Sequence, residues 1–161
     1  MATAALFVAL GASNQPLPPL HTLDGTEMRF VATSAQTHGA STTVVATVPP
    51  GAGPPAHIHT REDEIYVVTR GRFRFNHGAK VVDAMPGTVL FLPRNENHWW
   101  RNVGNTKGEL VLTIVPAGLE RMFRTMSERK LQMPRDQAAI VRLGLQYGIT
   151  YVRPPARTAV K

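Results

Sequence analysis

Residues 51–71 read GAGPPAHIHTREDEIYVVTRG. His57 and His59 stand two apart, Glu64 follows five residues after His59, and Gly51 and Gly71 close the two ends. Side chains alternate across an extended strand, so histidines at i and i+2 share a face there; on a helix the same spacing points them apart. Pro54 and Pro55 bias the residues before them away from the helical region. The stretch therefore predicts a strand. Two neutral imidazoles and a carboxylate converging from adjacent strands form a ligand set for a borderline divalent metal, with positions left open. Taken alone, the histidine pair reads equally well as surface side chains in a polar loop.

A second stretch changes that balance. Residues 87–102 read GTVLFLPRNENHWWRN. The apolar run Val89 to Leu92 reads as a buried strand and Pro93 to Asn97 as a turn, after which His98 opens a strand carrying Trp99 and Trp100. A fourth ligand about one hairpin away completes a set of His57, His59, Glu64 and His98.

These residues resemble the two sequence motifs of the cupin family. The first motif, G-(five)-H-x-H-(four)-E-(six)-G, is matched at Gly51, His57, His59, Glu64 and Gly71. The second, G-(five)-P-x-G-(two)-H-(three)-N, is matched at Gly87, Pro93, His98 and Asn102. Asn95 departs from it, standing where the family has glycine. Asparagine tolerates a left-handed turn conformation, so the turn is expected to survive. Further on, PAGLERMF and LQYGITYVRPP resemble the C-terminal extension of small quercetin-dioxygenase-like cupins, more loosely. The similarity runs from about Arg29 to Pro155.

The resemblance implies an all-β fold, a cupin double-stranded β-helix (a jelly-roll barrel) with C-terminal helices. It makes residues 1–161 a single domain, with a barrel core over about 28–116 and a helical extension over about 117–161. Short strands punctuated by glycine and proline point to a double-sheet jelly roll independently. One divalent transition metal is expected, and Fe, Mn, Ni, Co, Cu and Zn all suit three imidazoles and one carboxylate. By resemblance to quercetin-dioxygenase-like enzymes, Glu64 is both ligand and the base that takes a proton from a small-molecule substrate. A dioxygenase is the leading expectation. A non-redox cyclase, isomerase or lyase using the metal as a Lewis acid, and a binding module without turnover, stay open. Tyr66 and Val68 after Glu64, and Trp100 after His98, alternate onto the ligand face and are the expected substrate pocket. Trp100 there would suit a flat or otherwise apolar substrate.

The rest of the chain frames this site. Its 161 residues suffice for one sizeable core, 43% of them hydrophobic, and no cysteine is present, which excludes disulfides and thiolate ligands. No apolar run reaches membrane-spanning length, so no membrane partner is expected. The opening MATAALFVALGAS lacks a basic start and makes a poor secretory signal, so a cytoplasmic location is expected. Its apolar character instead fits an arm docking on a second subunit in a homodimer. Asn14 to Pro19 reads as a proline-rich break.

Met28–Thr33 and Ser41–Val48 read as strands, joined by a turn pivoting on Gly39 that leaves His38 solvated. Phe73 and Phe75 alternate with Arg72 and Arg74, and Asn76 to Ala79 reads as a hairpin turn with His77 exposed. Val81–Val82 follows, and Leu110–Val115 is the last barrel strand. Leu119, Met122, Phe123 and Met126 then recur at three and four, a helix whose Met/Phe stripe is expected to pack on the barrel. A second helix is expected over Pro134–Gln146, a short strand over Ile149–Val152 and a basic tail over Arg153–Lys161. The net charge of +7 invites a nucleic-acid reading, but the basic residues are scattered and never exceed two in a row. Arg70, Arg72 and Arg74 read as a solvated strand face, and no nucleic-acid partner is expected.

Overall fold

Period-two alternation in the sequence becomes two antiparallel sheets facing one another. The structure is a computed structural model, and it describes residues 19–22, 24–133 and 135–152. In chain order the strands are β1 (Leu20–His21), β2 (Glu27–Ala32), β3 (Thr42–Val48), β4 (His57–His59), β5 (Asp63–Arg70) and β6 (Phe73–His77). They continue as β7 (Lys80–Ala84), β8 (Val89–Leu92), β9 (His98–Asn102) and β10 (Gly108–Val115), before α1 (Glu120–Glu128), α2 (Gln137–Gln146) and β11 (Ile149–Tyr151). One sheet has the order β1-β2-β3-β10-β5-β8 and the other β11-β4-β9-β6-β7. This is the expected jelly-roll arrangement with two C-terminal helices.

The core lies between the sheets because alternate residues of each strand point inward. In the six-stranded sheet, Phe30, Val44, Leu112 and Tyr66 form one inward row across four strands, joined by the pairings Phe30–Val44, Val44–Leu112 and Leu112–Tyr66. All four are buried. Phe73, Phe75 and Trp100 answer them from the other sheet. Each such side chain contributes about 1.5–3 kcal/mol by leaving water.

Four expectations change. The run Val89 to Leu92 is an edge strand rather than a buried one: Val89 and Phe91 are 62% and 57% exposed, and only Leu92 is fully buried. A four-residue apolar run carries too little periodicity to separate the two cases. His77 belongs to β6, is half-buried, and faces the Glu96 carboxylate at 2.5 Å, so the hairpin turn shrinks to Gly78–Ala79. The second helix starts at Gln137, after Asp136, and Pro134 lies outside the described residues. The barrel also does not end at residue 116, since β11 pairs with β4 and closes the five-stranded sheet. The apolar opening, the Asn14–Pro18 part of the proline-rich break and the basic tail lie outside the described residues. Among the described residues no helix is long and apolar enough to cross a membrane.

Candidate metal centre

β4 is three residues long, and its two histidines both face inward, at 6% and 2% exposure. Close backbone approach makes this possible. Gly53 adopts φ +150°, and a Cβ there would sit 2.0 Å from the Trp100 carbonyl oxygen, so only glycine lets the chain pass under β9 and rise into β4. At the other end, Asn95 has φ +67°, as its sequence position predicts, and its N–H donates to the His59 carbonyl at 2.6 Å. The turn of the second motif is thereby tied to the strand of the first. Asp63 reinforces this tie: its carboxylate accepts from the Arg94 backbone at 2.8 Å and from the guanidinium at 2.7 Å. Those bonds with Arg94 hold the Asp63 carboxyl down to about 2.

β9 brings His98 opposite His57 in register. Glu64 arrives from the facing sheet rather than from a neighbouring strand, because residues 60–62 carry the chain from one sheet to the other. One donor atom from each of His57, His59, Glu64 and His98 lies within 4.8 Å of the others, and all four residues are buried. Glu64 Oε2 is 3.1 Å from His98 Nε2, and Oε1 is 3.7 Å from His59 Nε2.

The imidazoles are oriented from behind. His57 Nδ1–H donates to the Pro55 carbonyl at 2.8 Å and His98 Nδ1–H to the Glu96 carbonyl at 3.2 Å. His59 Nδ1 faces Glu62 Oε2 at 3.4 Å. A proton fixed on Nδ1 leaves Nε2 as the lone-pair donor, the arrangement found behind metal-ligating histidines. His98 Nε2 is buried and makes no well-directed hydrogen bond, its neighbour Glu64 Oε2 at 3.1 Å being itself an acceptor. A buried, unpaired acceptor is costly, and a cation among the four donors would satisfy it. The residues fit a divalent metal.

Electrostatics agree. Burial, then repulsion from His98 and His59, pushes His57 down to about 3, so it is neutral at ordinary pH. For His59, burial pulls downward but the Glu64 and Glu62 carboxylates outweigh it and raise the imidazole above 6.5. Burial likewise opposes the charge of Glu64, yet His59 and His98 hold its carboxyl down to about 2. The cluster therefore keeps a carboxylate ready for a cation.

A cavity of about 610 Å³ opens from this cluster. Tyr66 and Trp100 line it, as expected from their alternation with the ligands. Tyr66 O–H donates to Glu64 Oε2 at 3.1 Å and accepts from Trp100 Nε1–H at 3.0 Å, so both aromatic rings are locked onto the ligand carboxylate. Val68 lies elsewhere: it is fully buried in the core and does not line the cavity. Asn102 holds structure, donating to the Val48 and Thr106 carbonyls, both at 2.9 Å.

Two groups were missed from sequence. Glu62 sits three residues after His59, and that spacing to a buried ligand was its only signal. The other is the extension: Met122, Phe123, Met126 and Ile140 wall the cavity, and Tyr151 of β11 stands with its ring 6.2 Å from that of His57. The Met/Phe stripe does pack on the barrel, with Phe123 6.5 Å from Phe30, and also faces this space.

Comparison with known proteins places this geometry. Residues 44–116 match the family model described as a cupin domain. Over these residues the barrel is similar to a cupin domain. Solved structures similar to it include a predicted oxalate decarboxylase from Thermotoga maritima, 26% identical with a TM-score of 0.57, the match covering 68% of this chain and 99% of that one. KdgF from Halomonas sp. is 18% identical with a TM-score of 0.58, covering 65% and 93%. An RmlC-like cupin from Shewanella frigidimarina is 19% identical with a TM-score of 0.56, covering 73% and 96%. The last two show the fold alone. No curated protein is significantly similar to the chain in sequence. All four candidate ligands lie within the matched residues of the cupin domain.

Proposed function

We propose that the protein is a metal-dependent cupin enzyme of the quercetin-dioxygenase-like kind, an oxygenase acting on a small, flat or apolar organic substrate. One observation carries the reading: a buried His57–His59–Glu64–His98 cluster opens on a largely apolar cavity. When bound, a divalent metal supplies Lewis acidity and an anchoring point for substrate oxygens. The chain's residues do the rest. Three imidazoles, each oriented through Nδ1, would hold the cation through Nε2. Glu64 is ionised, and Tyr66 engages its Oε2, which leaves Oε1 to take a proton from a substrate hydroxyl. Trp100, fixed through its Nε1–H, offers a flat apolar wall beside that proton transfer.

The test is oxygen consumption by metal-loaded protein with flavonols and 1,3-diketones. Glu64→Gln, compared at equal metal loading, should lower turnover by about 10²–10⁴-fold, the range for a lost general base. Near wild-type turnover in that variant would leave Glu64 as a ligand only. A second reading is a non-redox lyase or isomerase on the same ligands. It is favoured by the 26% identity to the structure described as a predicted oxalate decarboxylase. Substrate conversion without oxygen uptake would select it over the oxygenase.

A further inference from the structure

The cavity has two unlike ends. At the cluster, the walls are Tyr66 and Trp100, rigid rings held by hydrogen bonds. Away from it, the wall belongs to the C-terminal extension: Met122, Phe123 and Met126 from α1, and Ile140 from α2. Phe123 packs on Phe30 of β2, which is three strands away from the β5 strand of Glu64. At about 4.8 Å per strand, that places α1 roughly 14 Å across the sheet from the ligand strand.

Two charged residues border the cavity outside the cluster, Asp24 and Arg101. The Asp24 carboxylate accepts from Thr22 Oγ1 at 2.8 Å, the Thr26 N–H at 3.0 Å and the Gly53 N–H at 2.7 Å. Arg101 donates to the Gly51 carbonyl at 2.8 Å. Asp24 is thus engaged by the chain itself, and Arg101 stands on the outward side of β9, opposite the inward Trp100. The far wall instead offers thioethers and branched alkyl groups. Methionine, unbranched and polarisable, adapts to tails of different shape where a rigid ring would select one.

We infer that the extension forms a tail subsite, and that the substrate carries an oxygen-bearing head at the histidine–glutamate cluster and a flexible aliphatic tail against Met122, Met126 and Ile140. The inference rests on the metal-centre reading and narrows it: a compact flat molecule fills only the end near Trp100. A volume of about 610 Å³ is ample for both parts.

A homologous series of alkyl hydroxamates, from acetohydroxamate to octanohydroxamate, tests this by titration calorimetry on full-length, zinc-loaded protein. Hydroxamates bring a two-oxygen head and a tail of chosen length, and zinc permits no redox turnover. Affinity should rise about fourfold per added methylene, the gain from removing one CH₂ from water. In Met126→Trp and Ile140→Trp, the ratio of octanohydroxamate to acetohydroxamate affinity should fall at least tenfold. Should those variants fold poorly, Met126→Ala gives the opposite sign, its larger space moving the best chain length upward. An affinity that is flat with chain length while acetohydroxamate still binds overturns the tail subsite and leaves the metal centre standing. Failure of every hydroxamate in the series to bind overturns both.

Discussion

The two ends of the cavity are built by different rules. At the cluster, four side chains are placed by strand alternation and two tight turns, with their outer partners within three residues in sequence. At the far end, the wall comes from helices that return to the barrel after residue 116, while β11 pairs onto β4 beside the cluster. The first end is local and rigid, and its chemistry follows from donor identity. The second is non-local, and its shape depends on how the extension seats. On the proposed reading, chemistry and selectivity are carried by separate parts of the chain, and the two should be separable by substitution.

The largest expected effect falls on the first end. His59→Ala removes a donor and should reduce metal affinity by more than about 100-fold, beyond the range for loss of an outer partner. Elemental analysis after dialysis would show it, and full occupancy would mean the metal sits elsewhere. Glu62→Gln comes next. Its carboxylate is buried against His59 Nδ1, so the variant should lose about 10–100-fold in metal affinity. A competition titration with a chromogenic chelator reads that loss, while the cavity's far wall should be untouched.

The first end was legible in the sequence for a physical reason. A period of two puts His57 and His59 on one face whatever surrounds them, and glycine or asparagine marks the left-handed turns. Asn95 at φ +67° shows how far such local inference reaches. Non-local facts escaped it. That Val89 and Phe91 face outward depends on β8 having a single neighbour, which four apolar letters cannot reveal. The Met122–Met126 stripe announces a buried helix face, but helix periodicity is the same whether that face meets other side chains or a cavity. Val68 failed the opposite way. It continues the alternation of Glu64 and Tyr66, yet lies one step too deep, where Leu110 pairs with it and fills the core.

A smaller effect should come from the hinge between the two ends. Glu120, in the first turn of α1, is buried and accepts from the Ser34 N–H at 3.0 Å, Thr42 Oγ1 at 2.7 Å and the Gly118 N–H at 2.9 Å. Glu120→Ala strands those donors and should destabilise the fold by about 1–3 kcal/mol. Metal affinity should change little. The pH dependence identifies the cause. Burial opposes the Glu120 charge, but bonds from Thr42, Ser34 and Gly118 outweigh it, so its folded pKa lies below the ordinary 4.5. A lowered folded pKa means stability fully present above the unfolded value and lost as pH falls through the folded one. Thermal melts of wild type and variant should therefore differ most near neutrality and converge in acid. A constant gap would assign the loss to packing instead.

The smallest effect on stability should accompany a change in assembly, and it contrasts the outer faces of the two sheets. On the five-stranded sheet, Arg74 pairs across strands with Arg101 and with Asp83, giving a charged face. On the six-stranded sheet, Ile65 pairs with Phe91 and Val67 with Val89, and Ile65, Val89 and Phe91 are exposed. An apolar face beside an edge strand is a liability unless something covers it. The apolar segment MATAALFVAL precedes the described residues, whose first strand, β1, is the opposite edge of the same sheet. We propose a second copy of the chain, pairing through this sheet, as the occupant. A homodimer is therefore expected in light scattering. Phe91→Lys should shift it toward monomer while changing monomer stability by less than about 0.5 kcal/mol, as surface substitutions do. Deleting Met1 to Gly11 should weaken the dimer without altering metal affinity, since the candidate metal ligands lie on β4, β5 and β9. A full-length protein that is monomeric at high concentration would remove the second copy from this account. It would also leave Phe91 and Val89 as solvent-facing residues of an unprotected edge.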